Sequence, residues 1–131
     1  LQMTDSRGPA PGFKRHPDYR IDIGSASGRW QARLGGQLLA DSEHALLLDE
    51  SRHARVVYFP RDDVAEDRLV ATDSKTTCPF KGEASYFRRA DDEGGEDIAW
   101  TYPETFDEVA DIAGFVAFYA NRVTVTDSSN D

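Results

Sequence analysis

The chain has 131 residues, of which 39% are apolar and 30% are charged, a composition typical of one soluble globular domain. Its formal charge of −9 opposes nucleic-acid phosphates and anionic lipid head groups, so we expect neither nucleic acid nor a membrane as a partner. The single cysteine excludes an internal disulfide, and no apolar run reaches the ~18–20 residues that cross a bilayer. We therefore expect a cytoplasmic protein, and the sequence indicates no particular oligomeric state.

Both ends of the chain are predicted to lie outside the folded domain. Residues 1–15 are rich in glycine and proline and poor in apolar residues, which predicts a disordered or extended arm. Residues 127–131 form a polar stretch that is typical of a flexible tail. A single domain is thus expected over residues 16–126.

Between these ends a hydrophobic period of two predicts antiparallel strands. Trp30, Ala32 and Leu34 alternate with polar residues, and the following Gly35-Gly36 pair predicts a hairpin turn. We expect Trp30 to join the face that carries Trp100 if this hairpin packs there. Further strands are predicted from the short apolar runs at 45–48, 56–59, 84–89, 98–102, 118–119 and 123–125.

One helix is predicted near the C-terminus, over about 105–113. Thr105 and Glu108 have the spacing of a capping box, and Val109 and Ile112 follow at helical spacing. The expected fold class is therefore mainly β, with antiparallel sheets and this one short helix.

Residues 72–86 are predicted to form a rigid polar loop between two strands, and this loop contains the only cysteine. Cys78 is followed by Pro79, which restricts it to an extended conformation, and Lys75 and Lys81 lie three residues away on either side. Because cations stabilise a thiolate, we take Cys78 as a candidate nucleophile and Lys81 as a candidate catalytic cation. The alternatives are a thiol that only contacts a ligand and a cysteine that serves as a small buried apolar residue.

Aromatic residues supply the second group of site candidates. Period two places Ile98, Trp100 and Tyr102 on one face of their strand, and Tyr86 lies on the neighbouring strand. Such a wall, with hydroxyl and indole N–H groups, suits a small-molecule pocket, although ordinary core packing would also explain it. Lys75 and Thr76 would extend this pocket, and Arg61 would bind an anionic group at its rim.

No motif indicates a cofactor or a metal. One cysteine and three dispersed histidines do not supply a zinc ligand set, and no glycine-rich phosphate-binding loop is present. We therefore predict no bound metal and no cofactor.

Several blocks of the chain resemble the bacterial and fungal family called domain of unknown function 427. The most specific are Cys78-Pro79-Phe80-Lys81-Gly82 and the ending Phe118-Tyr119-Ala120-Asn121-Arg122-Val123. The resemblance extends over residues 16–125 and includes the blocks 16–17, 33–42, 58–64, 72–82, 99–103 and 116–123.

The resemblance implies a β-tent fold, the type shared with methionine sulfoxide reductase B, Yippee-like domains and the ligand-binding domain of cereblon. Several of these relatives hold zinc with paired cysteines, which this chain lacks. The family is sometimes labelled a nucleotidyltransferase. That chemistry requires a Gly-Ser pair at a helix start, whereas Gly24-Ser25 is followed by a predicted hairpin.

The leading functional hypothesis is a small domain that binds an unidentified small molecule around residues 72–86. The predicted ligand contacts are Lys75, Thr76, Tyr86, Trp100, Tyr102 and Arg61, and Cys78 and Lys81 are the candidates for chemistry. The sequence does not decide whether the site is catalytic. The alternative is a non-catalytic module that binds a peptide or protein through the same aromatic surface.

Overall fold

Ten strands and a few short helical turns make up the computed structural model, which describes residues 8–128. In chain order the strands are β1 (Ile21–Ser25), β2 (Trp30–Leu34), β3 (Gln37–Ser42), β4 (Leu46–Glu50), β5 (Val56–Tyr58), β6 (Leu69–Cys78), β7 (Gly82–Arg89), β8 (Asp97–Thr101), β9 (Val116–Phe118) and β10 (Thr124–Asp127). They form three antiparallel sheets with the orders β1-β4-β5, β10-β2-β3 and β6-β7-β8-β9. The predicted mainly β fold is confirmed.

The hairpin predicted at Gly35-Gly36 joins β2 to β3. Both glycines have positive φ, 56° and 83°, which is the backbone conformation that a tight hairpin turn requires at its two central positions. Residues with a β-carbon adopt this conformation at a cost, so the glycine pair fixes both the turn and the strand register.

Two hydrophobic cores lie on opposite faces of the four-stranded sheet. Neighbouring residues of a strand point to opposite faces, so Phe87 enters the first core while Tyr86 packs against the second. The first core contains Leu39, Phe59, Phe118 and Val123, and the second contains Leu48, Tyr58, Val109 and Ile112. Trp30 packs against the first core and Trp100 against the second, so the expectation that they share a face is wrong. The expectation that Ile98 shares a face with Trp100 is also wrong, because Ile98 belongs to the first core, where the pairing of β7 with β8 is irregular.

The predicted C-terminal helix is a 3-10 segment, Asp107–Ile112, with a kink at Val109. Its location is confirmed, but the capping box is not formed. Thr105 Oγ1 is buried without a hydrogen-bond partner among residues 8–128. The Glu108 carboxylate instead accepts from the backbone N–H of Ala10 at 2.9 Å, so the N-terminal segment replaces the expected local partner.

Residues 8–15 are not the extended arm that their composition predicts. Gly12–Arg15 forms one turn of α-helix, α1, and the Gly12 N–H donates to the Pro79 carbonyl at 2.9 Å. Ala10 is buried. Composition alone missed these long-range contacts, which order the segment against the domain. Residues 1–7 of the predicted arm and 129–131 of the predicted tail lie outside the described residues, and Asp127 belongs to β10.

The predicted loop 72–86 is a hairpin of two long strands, β6 and β7, joined by a tight turn. The Lys81 N–H closes this turn on the Cys78 carbonyl at 3.3 Å. Strand β6 lies at the edge of its sheet and is exposed along most of its length. An exposed edge strand needs no apolar face, which explains why its polar sequence resembles a loop. Lys75 and Thr76 therefore lie on a strand.

Candidate functional site

Three half-buried aromatic rings form a continuous surface on the outer side of the second core. Tyr86 and Trp100 are register partners on β7 and β8, and Tyr119 follows β9. The Tyr86 and Tyr119 rings are stacked with centroids 6.4 Å apart, and the Trp100 ring lies 4.8 Å from that of Tyr119. We call Tyr86, Trp100 and Tyr119 the aromatic face.

Hydroxyl groups connect the aromatic face to the edge strand. The Tyr86 hydroxyl lies 2.6 Å from Thr76 Oγ1, and either oxygen can donate. Burial raises the pKa of Tyr119, and the charge and hydrogen bond of Tyr86 raise it further. The Arg122 guanidinium lies 5.2 Å from the Tyr119 ring centre, as in a cation–π contact. The face thus presents tyrosine hydroxyls beside one half-buried cation, Arg122, which is paired with Glu96 at 3.2 Å.

Two buried tyrosines lie beneath the aromatic face. Trp100 Nε1 donates to the Tyr58 hydroxyl at 3.3 Å, and the two rings meet edge to face. Burial raises the pKa of both Tyr58 and Tyr102, and nearby acidic groups including Cys78 contribute. The structure gives the Tyr102 hydroxyl no hydrogen-bond partner within residues 8–128, although this ring is 8% exposed. This hydroxyl is a polar group available to a ligand.

Cys78 lies at the end of β6 and packs, half-buried, against the second core. The buried residues of that core include Tyr58 and Tyr102. The structure thus brings Cys78, Tyr86, Trp100 and Tyr102 to one core. With Thr76, whose hydroxyl contacts that of Tyr86, five of the residues predicted from the sequence are brought together.

The two lysines that flank Cys78 in sequence have different environments. Lys81 is buried, and its Nζ pairs with Glu50 Oε1 at 2.6 Å, with both side chains 8% exposed. The other Glu50 oxygen accepts from the Tyr19 hydroxyl. Lys75 is exposed and its Nζ donates to Ser85 Oγ at 3.1 Å. The expected cationic rim around the thiol is therefore reduced, because the Lys81 charge is neutralised by a carboxylate.

Arg61 lies away from the aromatic face. Its guanidinium is 5.2 Å from the Phe87 ring centre and 3.3 Å from a Glu66 oxygen. Phe87 belongs to the first core, so Arg61 lies on the opposite side of the sheet from Tyr86. The structure does not bring Arg61 to the predicted site.

A family model described as Domain of unknown function (DUF427) matches residues 22–129, or 108 of the 131 residues. The chain belongs to the DUF427 family. No curated protein matches the chain. In this DUF427 domain Gly24-Ser25 lies inside strand β1, which is not the helix start that a nucleotidyltransferase requires.

The described part of the DUF427 domain offers no metal-binding group: within residues 8–128, no three His, Cys, Asp or Glu side chains are placed to share an ion. No helix in the same range has the length and apolar character of a membrane span.

Sequence reasoning missed Tyr119 of the aromatic face, and it missed Glu50 and Tyr19, which accompany Lys81. A signal for Glu50 is present, because Leu46, Leu48 and Glu50 alternate along β4 and period two places the carboxylate on the core side. A carboxylate at a core position predicts a buried partner, which is Lys81. Tyr119 could have been found from its place in the Phe118–Val123 family motif.

Proposed function

We propose that the DUF427 domain binds an uncharged small molecule with a flat ring on the aromatic face. The observation that carries this proposal is the cluster of three half-exposed rings next to the core that contains the unpartnered Tyr102 side chain. Clustered aromatic residues provide large apolar contact area with little loss of side-chain freedom, which favours the binding of flat ligands.

Polar groups around the rings favour a ligand with both donors and acceptors. The Tyr86 and Tyr119 hydroxyls and Thr76 Oγ1 lie at the edge of the face, and the Tyr102 hydroxyl lies beneath it. Tyrosine hydroxyls are protonated at neutral pH, and the raised pKa of Tyr119 and Tyr102 extends this to higher pH, so both can donate to a ligand carbonyl. A few fixed polar groups within an apolar surface give a ligand site its orientation.

Cys78 contributes to this proposal as a contact to the ligand, with chemistry as an additional hypothesis. The thiol packs against the core that contains Tyr58 and Tyr102. Lys81, however, is ion-paired with Glu50, and Lys75 donates to Ser85. A nucleophilic thiol requires a nearby cation or base. Alkylation by iodoacetamide, in which the thiolate sulfur bonds to carbon and iodide leaves, would measure its reactivity directly.

The two tryptophans provide a matched test of the proposal. A Trp30→Phe variant leaves Trp100 as the only indole, and a Trp100→Phe variant leaves Trp30, which packs against the other core. We expect uncharged flat-ring compounds, for example phenol, uracil and coumarin, to change the emission of the first variant and not of the second.

Ligand-detected NMR would confirm that the same compounds bind the unmodified protein. The proposal fails if no compound perturbs Trp100, or if the Trp100→Phe and Trp30→Phe variants respond equally. A Tyr119→Ala variant should lose binding while retaining its circular dichroism spectrum, because Tyr119 is half-buried and at the surface of the core.

A second candidate function, peptide binding, is favoured by the exposed edge of β6. This ten-residue strand ends its sheet, and Thr76 connects it to the aromatic face. An extended peptide could pair with such an edge and place alternate side chains on the rings. Amide shifts along 69–78 on adding a peptide, with no response to flat-ring compounds, would favour this function over the first.

A further inference from the structure

A separate hollow of about 230 Å³ lies between the N-terminal segment and the turn after β4. Its lining residues are His16, Asp18, Tyr19, Ser51, Arg52 and Phe80. The Tyr19 and Phe80 rings are stacked with centroids 4.0 Å apart, so one wall of the hollow is a fixed aromatic pair. None of these residues belongs to the aromatic face described above.

Arg52 is held at this hollow by an unusual backbone. Its φ of 68° is the only positive value of a non-glycine residue within residues 8–128. A residue with a β-carbon rarely adopts this conformation, and such strain is concentrated at binding sites. The Arg52 side chain is exposed and has no ion-pair partner among the described residues. Its charge slightly opposes the rise in the pKa of Tyr19 that burial and Glu50 cause.

Cations outnumber carboxylates in the two chain segments that border the hollow, although the whole protein is acidic. The segment 51–55 carries two arginines and no acid, and the segment 14–20 carries Lys14, Arg15 and Arg20 against Asp18. Arg20 is paired with Asp22, which leaves a local surplus of cations in a chain of net charge −9. Glu50 behind the hollow is neutralised by Lys81. Asp18 is the acidic residue of the lining.

We propose that this hollow binds a small organic anion that carries a flat ring, such as an aryl phosphate or aryl carboxylate. The guanidinium of Arg52 receives the anionic group, because its planar array of donors matches two oxygens at once. The ring packs against the Tyr19–Phe80 wall. Asp18 opposes binding of the anion on its own side of the hollow, which directs the charged group toward Arg52.

Isothermal titration with three probes separates the contributions of charge and ring. Phenyl phosphate contains both groups, inorganic phosphate contains only the anion, and phenol contains only the ring. All three are titrated into the Tyr119→Ala variant, so that binding of phenol at the aromatic face does not contribute. We expect phenyl phosphate to bind at least about tenfold more tightly than either fragment, and its affinity to fall as salt is raised. Equal affinities for phenyl phosphate and inorganic phosphate would overturn the role of the aromatic wall.

The decisive variant is Arg52→Gly, which removes the guanidinium and suits the positive φ, so the protein is expected to fold. It should weaken phenyl phosphate binding by about tenfold or more, the loss typical of one charge-assisted contact. Arg33→Ala is the control, because Arg33 is exposed on β2 and bonds to Gln31 at 3.3 Å. Unchanged affinity in Arg52→Gly, or an equal loss in Arg33→Ala, would overturn the proposal.

This inference is independent of the function proposed for the aromatic face. The Trp100→Phe variant should bind phenyl phosphate as the unmodified protein does. If that variant loses phenyl phosphate binding, the anion binds the aromatic face instead and the hollow is not its site.

Discussion

The buried ion pair between Lys81 and Glu50 leads to the sharpest prediction about stability. In a Lys81→Met variant the carboxylate keeps its hydrogen bond from Tyr19 but loses its counter-charge at 8% exposure. Removing one partner of a buried pair costs about 3–5 kcal/mol, because the remaining charge is uncompensated. For a domain of this size that loss lowers the melting temperature by roughly 10–20 °C. Urea unfolding at pH 7, followed by circular dichroism, measures the loss in free energy of unfolding.

Lys75→Met is the matched control for this experiment. Lys75 lies on the same hairpin, but it is exposed and makes one hydrogen bond to Ser85, so its loss should change stability by less than about 0.5 kcal/mol. A Glu50→Gln, Lys81→Met double variant should recover much of the loss, because no buried charge then remains. Equal effects of the two lysine substitutions, or additive losses in the double variant, would refute the buried-charge reasoning.

Three further predictions concern single residues. Thr105→Val should stabilise the domain by about 1 kcal/mol in urea unfolding, because it removes a buried hydroxyl without a partner among residues 8–128; destabilisation would contradict this. Gly82→Ala should lower the free energy of unfolding by at least about 2 kcal/mol, since the φ of Gly82 is 132° and the added carbon would lie 2.8 Å from a backbone oxygen. Gly24→Ala is the control and should be near neutral, because nothing lies within 4 Å of its added carbon. The hydrogen bond from Arg29 lowers the pKa of Asp41, so this pair stabilises the fold at neutral pH and is lost as pH falls below about 4. Arg29→Ala should therefore destabilise at pH 7 but not at pH 2, and an equal cost at both would contradict the assignment.

The strands could be predicted wherever one face is buried and the other is exposed. β2 and β3 follow from alternation and the Gly35-Gly36 turn, and β7 and β8 follow from their aromatic and branched residues. β6 was mistaken for a loop because most of its residues are exposed, which removes the hydrophobic period. The order of Gly12–Arg15 was missed for another reason. It depends on contacts with Pro79 and Phe80, far away in sequence.

In the candidate site, too, residues on neighbouring strands could be predicted from the sequence, whereas long-range contacts could not. Tyr86, Trp100 and Tyr102 were predicted from period two within neighbouring strands. The partner of Lys81 was not, because Glu50 lies 31 residues away and belongs to a different sheet. Sequence distance also made Arg61 a wrong rim candidate, since nothing local indicates that its turn packs against Phe87. Local period finds the rings, whereas the pairing of charges depends on the tertiary fold.

The turn after Cys78 is held by contacts from three other parts of the chain, and Lys81 contributes to these contacts. Phe80 contacts the Gly12 position and stacks on Tyr19, Lys81 is held by Glu50, and the Lys81 carbonyl accepts from the Phe106 N–H at 3.0 Å. Lys81 thus orients the turn, and its charge is neutralised by the Glu50 carboxylate. A thiol held rigidly beside tyrosine rings is well placed to contact a ligand, because little conformational freedom is lost on binding. In the function proposed above, Cys78 would therefore act as a contact to the ligand, because Lys81 is paired with Glu50 and Lys75 is bonded to Ser85.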